Sequence, residues 1–216
     1  NVAIGYAALN VQNNTTATNV YNVAIGHAAG GAMTTGTSNT IMGGLAGDAL
    51  TGGSRNEVIG QGALTTDTLG SRSVALGYAT LTTQNFTTAT NTYNTAVGYA
   101  AGNSVTTGLR NTIMGGLAGD ALTDADDNVA IGVSALSSDT NGSKSVAIGK
   151  DALFDQNFTT ATDSYNTAVG YFAGTNVTTG VANTLFGALT GDNITTGNAN
   201  VLFGYGTDAN DGTSDS

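Results

Sequence analysis

The stretch Asn1-Val2-Ala3-Ile4-Gly5 decides the fold, because its pattern of a polar residue, two apolar residues around a small one and a glycine occurs twelve times in 216 residues. Copies begin at residues 1, 22, 39, 56, 73, 94, 111, 128, 145, 166, 183 and 200, so the spacing runs 21, 17, 17 and 17 residues and then repeats. A period near twenty residues is typical of a solenoid. The sequence therefore predicts an all-β chain, a parallel β-solenoid of twelve coils in three 72-residue units that forms a single domain over 1–216. Positions are numbered below from the first residue of each coil.

Each copy predicts a β-strand followed by a sharp corner. The second position is Val or Thr with one exception, Glu57, and the fourth is always a larger apolar residue. The fifth is always glycine, which predicts a corner at positive φ, where a Cβ atom would clash. A second strand is predicted near the twelfth position of the 17-residue coils, where an apolar residue usually precedes Thr. The structural corner residues are Gly5, Gly26, Gly43, Gly60, Gly77, Gly98, Gly115, Gly132, Gly149, Gly170, Gly187 and Gly204.

The aliphatic residues at the third position of the repeat predict that the chain is not a monomer. Alternation along a strand places this position on the opposite side from the second and fourth, and we expect it to face outwards. An aliphatic stripe along the outside of a rod would be an association surface. Replacing Ile41 and Ile113 by Asp is then expected to dissociate an oligomer without unfolding the coils. The third position is Ala in seven copies and otherwise Ile41, Val58, Ile113, Leu185 or Leu202.

Two polar columns are predicted to run along the rod. The first position is Asn in ten copies and Ser in two, Ser73 and Ser145, and stacked Asn side chains can form a hydrogen-bonded ladder. Thr at the thirteenth position would form an outer column, for which ice binding is an alternative function. The flat Thr-x-Thr array expected of that function is missing, since Gly usually follows two places on. The Thr residues are Thr34, Thr51, Thr68, Thr106, Thr123, Thr140, Thr178 and Thr195.

Every fourth coil carries four extra residues, which are predicted to bulge from one edge. The insertions lie around 14–17, 86–89 and 158–161. The last two each include a Phe that is followed by a Tyr just before the next coil. These residues either pack on their own bulge or a neighbouring chain, or they contact a receptor. The possible surface contacts are Phe86, Tyr93, Phe158 and Tyr165.

Composition and motifs give no support for an enzyme. The net charge of −10 argues against nucleic acid or an anionic membrane as partner, and no run of about 18 apolar residues predicts membrane insertion. His27 is the only histidine and occupies a position that is Tyr in five other coils. Asp124, Asp126 and Asp127 share one turn, and 208–215 lacks the spacing of a calcium loop. The sequence therefore predicts no catalytic, cofactor or metal site.

Copies such as SVALG at 73–77, SVAIG at 145–149 and NTAVGY resemble the head repeats of YadA-like trimeric autotransporter adhesins. They also resemble the NTAVGY-type repeats of tail-fibre-like proteins that end in an intramolecular chaperone. The resemblance implies a left-handed β-roll, a parallel homotrimer and a role in attachment. It implies an extracellular, cell-surface or virion location, with a receptor or glycan as a possible partner.

The expected function is therefore that of a non-enzymatic fibre segment, part of a longer protein, that mediates attachment. The alternative is a purely structural, self-assembling filament or sheath subunit. The absence of cysteine fits an extracellular β-fibre without disulfides.

Overall fold

The computed structural model describes residues 1–15 and 19–209, and over these the chain is a parallel β-solenoid without helices. The predicted fold class is confirmed. Each coil contributes one three-residue strand at its second to fourth positions. Two-residue strands in the long coils 73–93 and 145–165 pair with two-residue strands in the 17-residue coils just before them. The strands are β1 (Val2–Ile4), β2 (Val23–Ile25), β3 (Thr40–Met42), β4 (Glu57–Ile59), β5 (Gly70–Ser71), β6 (Val74–Leu76), β7 (Thr90–Asn91), β8 (Thr95–Val97), β9 (Thr112–Met114), β10 (Val129–Ile131), β11 (Gly142–Ser143), β12 (Val146–Ile148), β13 (Thr162–Asp163), β14 (Thr167–Val169), β15 (Thr184–Phe186) and β16 (Val201–Phe203).

The three-residue strands form one parallel sheet that runs the length of the solenoid. Its order is β1-β2-β3-β4-β6-β8-β9-β10-β12-β14-β15-β16, which is the order of the coils. Equivalent positions pair throughout, as Val2 with Val23 and Ala3 with Ala24. The 21-residue coils do not shift this register, because β6 pairs with β8 through Ala75 and Ala96. The extra residues at 86–89 and 158–161 are therefore accommodated outside the main sheet, while part of the first insertion, 14–17, lies outside the described residues.

The prediction for the two faces of the strand is wrong. Ile41, Val58, Ile113 and Leu185, at the third position, are fully buried and belong to the hydrophobic core. Leu202 is only partly buried and packs against that core. The second and fourth positions face outwards instead. The narrow coil has room for one side chain per three-residue strand, so the middle position turns inwards and its two neighbours turn outwards. The predicted Asp substitutions at Ile41 and Ile113 would therefore disrupt the core.

The corner glycines bring successive coils into direct contact. All twelve have φ between +120° and +148°, as predicted from the sequence. At eleven of these corners a Cβ atom would also lie 2.0–2.5 Å from the carbonyl oxygen of the next corner glycine. Glycine is required there by both the conformation and the close approach of the next backbone.

The first-position residues form a buried ladder, as predicted, but most rungs end on the main chain. Asn39 Oδ1 accepts a hydrogen bond from the backbone nitrogen of Asn56 at 2.9 Å, while Asn39 Nδ2 donates to the carbonyl oxygen of Gly53 at 2.9 Å. Bonds between neighbouring side chains are often longer, as from Asn39 Nδ2 to Asn22 Oδ1 at 3.3 Å. Each Asn therefore ties its own coil together and connects it to the next.

The predicted second strand at the twelfth and thirteenth positions is not found in the described residues. Thr34 N and Thr51 N each donate to the Thr carbonyl of the next coil, at 2.9 Å, without forming a strand ladder. The hydroxyl groups of Thr34 and Thr51 donate to the same carbonyl oxygens at 3.1 Å. The additional strands lie later in the coil, where β5 pairs with β7 and β11 with β13.

Candidate assembly surface

An uncovered apolar face runs along the main sheet and consists of the second and fourth positions of all twelve strands. Eighteen of these 24 side chains are Val, Ile, Leu, Met or Phe, five are Thr, and Glu57 is the only charge. We call this surface the strand face. Its fourth-position residues include Met42 at 37% exposure, Met114 at 41% and Phe186 at 52%.

The strand face is a large apolar patch for a single chain. Twelve strands at about 4.8 Å spacing and about 10 Å of strand width give about 550 Å² per copy. A patch of this size is at the upper end of what single-chain proteins expose and is often functional. Because Glu57 is the only charged residue of the strand face, burying this face costs little desolvation energy.

The two edges of the strand face differ in composition. The leading edge consists of the residue just before each first position, and it carries four of the chain's five cations, Arg55, Arg72, Arg110 and Lys144. These side chains are exposed and all have positive φ, which turns the chain sharply into the strand. The trailing edge consists of the sixth position, just after each corner glycine. It is rich in exposed Tyr, and Lys150 is its only Lys or Arg residue.

The four predicted surface contacts separate into two buried and two exposed residues. Phe86 and Phe158 are 7% exposed, so they pack within the solenoid rather than offering a receptor contact. Tyr93 and Tyr165 are 52% and 56% exposed and belong to the leading edge. The guanidinium of Arg72 lies 5.5 Å from the ring centre of Tyr93. Of the four residues predicted as surface contacts, only the two tyrosines are therefore available at the surface, on the leading edge of the strand face.

Sequence reasoning missed two buried carboxylates, Asp67 and Asp139. Each lies near a place where Ser replaces Asn in the ladder, at Ser73 or Ser145. Asp67 Oδ1 accepts hydrogen bonds from the backbone nitrogens of Gly70 and Phe86 at 3.0 Å, and its Oδ2 accepts one from Gln84 Nε2 at 2.6 Å. Burial raises the pKa of Asp67, and these hydrogen bonds offset part of that rise. Gln84 Nε2 also donates to Ser73 Oγ at 2.9 Å. Asp139 forms the equivalent network 72 residues later with Gln156, Phe158 and Ser145.

These networks bridge the coils at which the long insertion interrupts the ladder. The Ser73 side chain is too short to reach the next coil. Its hydroxyl oxygen instead lies 2.7 Å from the hydroxyl oxygen of Thr92, near the end of the same long coil. Thr92 Oγ1 in turn accepts from the backbone nitrogen of Asn94 at 3.4 Å. A sequence signal exists for this feature, because Ser at the first position follows Asp six residues earlier in both places. Its role is structural.

Some of the remaining charged groups form ion pairs at the surface. Arg110 Nε donates to Asp127 Oδ1 at 2.6 Å, and Arg110 Nη2 to Asp126 Oδ2 at 3.1 Å. The hydrogen bond from Arg110 lowers the pKa of Asp127. His27 stacks on Tyr6 with ring centres 5.5 Å apart. Most of the weak calcium-loop match at 208–215 lies outside the described residues.

Within residues 1–15 and 19–209, no group of three or more His, Asp or Glu side chains is placed to hold a metal ion, and no pocket is found. The same residues contain no helix long and apolar enough to span a membrane. Comparison with protein-family models, with curated proteins and with solved structures gave no match.

Proposed function

We propose that this chain is a segment of an extracellular or virion fibre and that its copies associate through the strand face. The observation that carries the proposal is that an exposed face with a single charge, Glu57, extends along every coil. Two such faces in contact bury about 1,100 Å², which approaches the size of stable protein interfaces before the edges are counted. The repeat then serves as a rigid rod, and its length scales with the number of coils.

Attachment to a cell surface is the role implied by the resemblance to adhesin and tail-fibre repeats, and a homotrimer is the preferred closure. A lateral filament that buries the same face is the alternative. Electron microscopy of the purified chain separates discrete rods from filaments. A glycan array probed with the same material tests attachment, and binding to no glycan, with long filaments in the micrographs, would favour the filament.

The association is tested by three Asp substitutions in neighbouring coils. Met42→Asp places a charge on the strand face, so we expect light scattering to show a particle of about 21 kDa with an unchanged circular dichroism spectrum. Ile41→Asp buries a charge in the core and is expected to unfold the chain. Thr35→Asp adds the same charge at an exposed position away from the face and serves as the control. A monomeric parent chain at micromolar concentration, or a Met42→Asp variant that stays associated, would contradict the proposal.

A further inference from the structure

Three strands of the main sheet have an aromatic residue at both edges of the strand face. They are β2, β8 and β14, in the second, sixth and tenth coils, each directly after a long coil. In each, the leading-edge residue and the trailing-edge residue stand two positions outside the strand. We call these the bracketed strands, and their aromatic pairs are Tyr21 and His27, Tyr93 and Tyr99, and Tyr165 and Tyr171. None of the other described strands has aromatic residues at both edges.

The bracket rings are exposed, and five of the six contact an aromatic or cationic side chain of the preceding coil. Tyr99 is 61% exposed and stacks on Tyr78, with ring centres 5.5 Å apart and planes inclined by 9°. The ammonium of Lys150 lies 5.7 Å from the ring centre of Tyr171, just as Arg72 lies over Tyr93. A ring that is already oriented loses little side-chain entropy on binding, so it is suited to act as an interface hot spot.

Lys144 supports the bracket of the tenth coil in a similar way. Its Nζ lies 5.2 Å from the ring centre of Tyr165 and 3.3 Å from the Tyr165 hydroxyl oxygen. Lys144 is itself held by Asp163 Oδ2 at 2.6 Å. The leading-edge ring is therefore fixed by a charged pair, and its other face is open.

Symmetry determines which edges meet when two copies pack through the strand face. If the copies are related by rotation about an axis along the rod, as in a dimer or a trimer, their strands run around that axis in the same sense. The leading edge of one copy then meets the trailing edge of the next at the same height. If the rods instead run in opposite directions, leading edges face leading edges. A closed assembly without translation keeps each coil level with its equivalents.

The bracketed strands fit the first arrangement. At equal height, Tyr93 of one copy faces Tyr99 of the next, and the same holds for the aromatic pairs one 72-residue unit above and below. A slip of one coil would set Tyr93 opposite Tyr78 or Gly116, and the three matched levels would no longer coincide. Opposed rods would instead bring together the cation-rich leading edges.

One level of this arrangement places two cations opposite each other. Before and after β12 the edges carry Lys144 and Lys150. Each of them is paired with a carboxylate of its own chain, Lys144 with Asp163 and Lys150 with Asp151. The repulsion between them is correspondingly reduced, so this level does not oppose the register.

We propose that the bracketed strands fix the register between associating copies, with the leading-edge aromatic of one copy packed against the trailing-edge aromatic of the next. This inference rests on the proposed association through the strand face. It adds the residues that align the rods, at three levels spaced by 72 residues.

The register is tested by chemical crosslinking, for which the absence of native cysteine leaves each introduced thiol unique. Tyr93→Cys chains are refolded together with Tyr99→Cys chains and treated with a bismaleimide of about 10 Å reach, shorter than the span of one strand with its flanking residues. We expect mixed crosslinked pairs. Crosslinking of Tyr93→Cys to Tyr171→Cys in place of Tyr99→Cys would show a slip of one 72-residue unit. Self-pairing of Tyr93→Cys alone would show opposed rods, and either result overturns the proposal.

The contribution of the rings is tested by a double-mutant cycle on the dissociation of the assembly. Tyr93→Ala and Tyr99→Ala are each expected to weaken association about tenfold, and the double variant little more than either, because both remove the same contact. Tyr205→Ala is the matched control, since it removes a trailing-edge ring whose leading-edge counterpart is Ala199.

The outcomes separate the two proposals. A parent chain that is monomeric refutes the association itself. An associated chain whose dissociation is unaffected by Tyr93→Ala refutes only the register proposal. If Tyr93→Ala leaves the assembly intact but abolishes binding on a glycan array, the brackets are carbohydrate contacts and the register proposal is wrong.

Discussion

At the scale of single residues, the fold depends on backbone conformations that only certain side chains allow. The corner glycine is the clearest case, because both its positive φ and the carbonyl of the next coil exclude a Cβ atom. The residue before each first position also has positive φ, yet it is Arg, Lys or Tyr in seven coils. With φ between +49° and +65°, these residues lie in the left-handed region that non-glycine residues can adopt, and their side chains are exposed, so long side chains are tolerated there.

Gly132→Ala tests the corner directly. Its Cβ atom would lie 2.4 Å from the carbonyl oxygen of Gly149, at a φ of +133°. We expect the variant to lose roughly 1 to 3 kcal/mol of unfolding free energy. Gly116→Ala, in the coil below, is the control, because nothing lies within 4 Å of the added atom. Thermal melts of the two variants, followed by circular dichroism, should differ clearly, and equal melts would show that close approach at the corner is not limiting.

At the scale of structural elements, one short strand per coil is too small to hold the coils together alone. Each coil adds a ladder residue whose side chain joins two coils, and this contribution repeats at every level. In two places the ladder changes from Asn to Ser, where Asp67 or Asp139 and a Gln carry the connection across the insertion. The long coils are therefore part of the same hydrogen-bonded column.

Asn111→Ala tests the ladder. Asn111 Nδ2 donates to the carbonyl oxygen of Ala125 at 2.7 Å, and Asn111 Oδ1 accepts from the backbone nitrogen of Asn128 at 3.0 Å. Both partners are left unsatisfied in the interior, so we expect a loss of about 2 to 4 kcal/mol in denaturant unfolding. Asn91→Ala, which removes an exposed acceptor of Arg72, should cost less than about 0.5 kcal/mol. Similar losses in the two variants would argue against a structural ladder.

At the scale of the whole molecule, the charge distribution predicts an unusual pH dependence of stability. Burial is the main cause of the raised pKa values of Asp48, Asp67, Asp120 and Asp139. A carboxyl group whose pKa is higher in the folded state binds more protons there than in the unfolded state. Its contribution to stability is therefore greatest at low pH and is lost as the pH rises through the folded pKa.

The free energy of unfolding should thus rise as the pH is lowered from 7 towards about 4.5. The pKa values of Asp127 and Asp163 are lowered by hydrogen bonds from Arg110 and Lys144, so their contributions are lost only below the usual aspartate range. Melting temperatures at fixed ionic strength and fixed protein concentration provide the measurement. Asp67→Asn combined with Asp139→Asn should flatten the dependence, and a steady fall in stability between pH 7 and pH 4.5 in the parent chain would contradict it.

Much of the fold could be predicted from the sequence alone. The period of the glycines, the Asn or Ser before each strand and the four-residue insertions determine the coil count, the parallel pairing and the absence of helix. These features are local and repeat in phase, so each copy supports the same interpretation. The ladder could be predicted because equivalent residues of a solenoid lie directly above one another.

Only the tertiary structure decided which side of each strand is the interior. The two sides alternate along three residues, and both carry apolar side chains, so alternation alone cannot choose between Ile41 and Met42. The choice depends on the direction in which the chain turns at Gly43 and on the narrowness of the coil, which has room for one side chain of each strand rather than two. The burial of Asp67 also could not be predicted from the sequence, because it depends on a contact with Gln84 from the neighbouring coil.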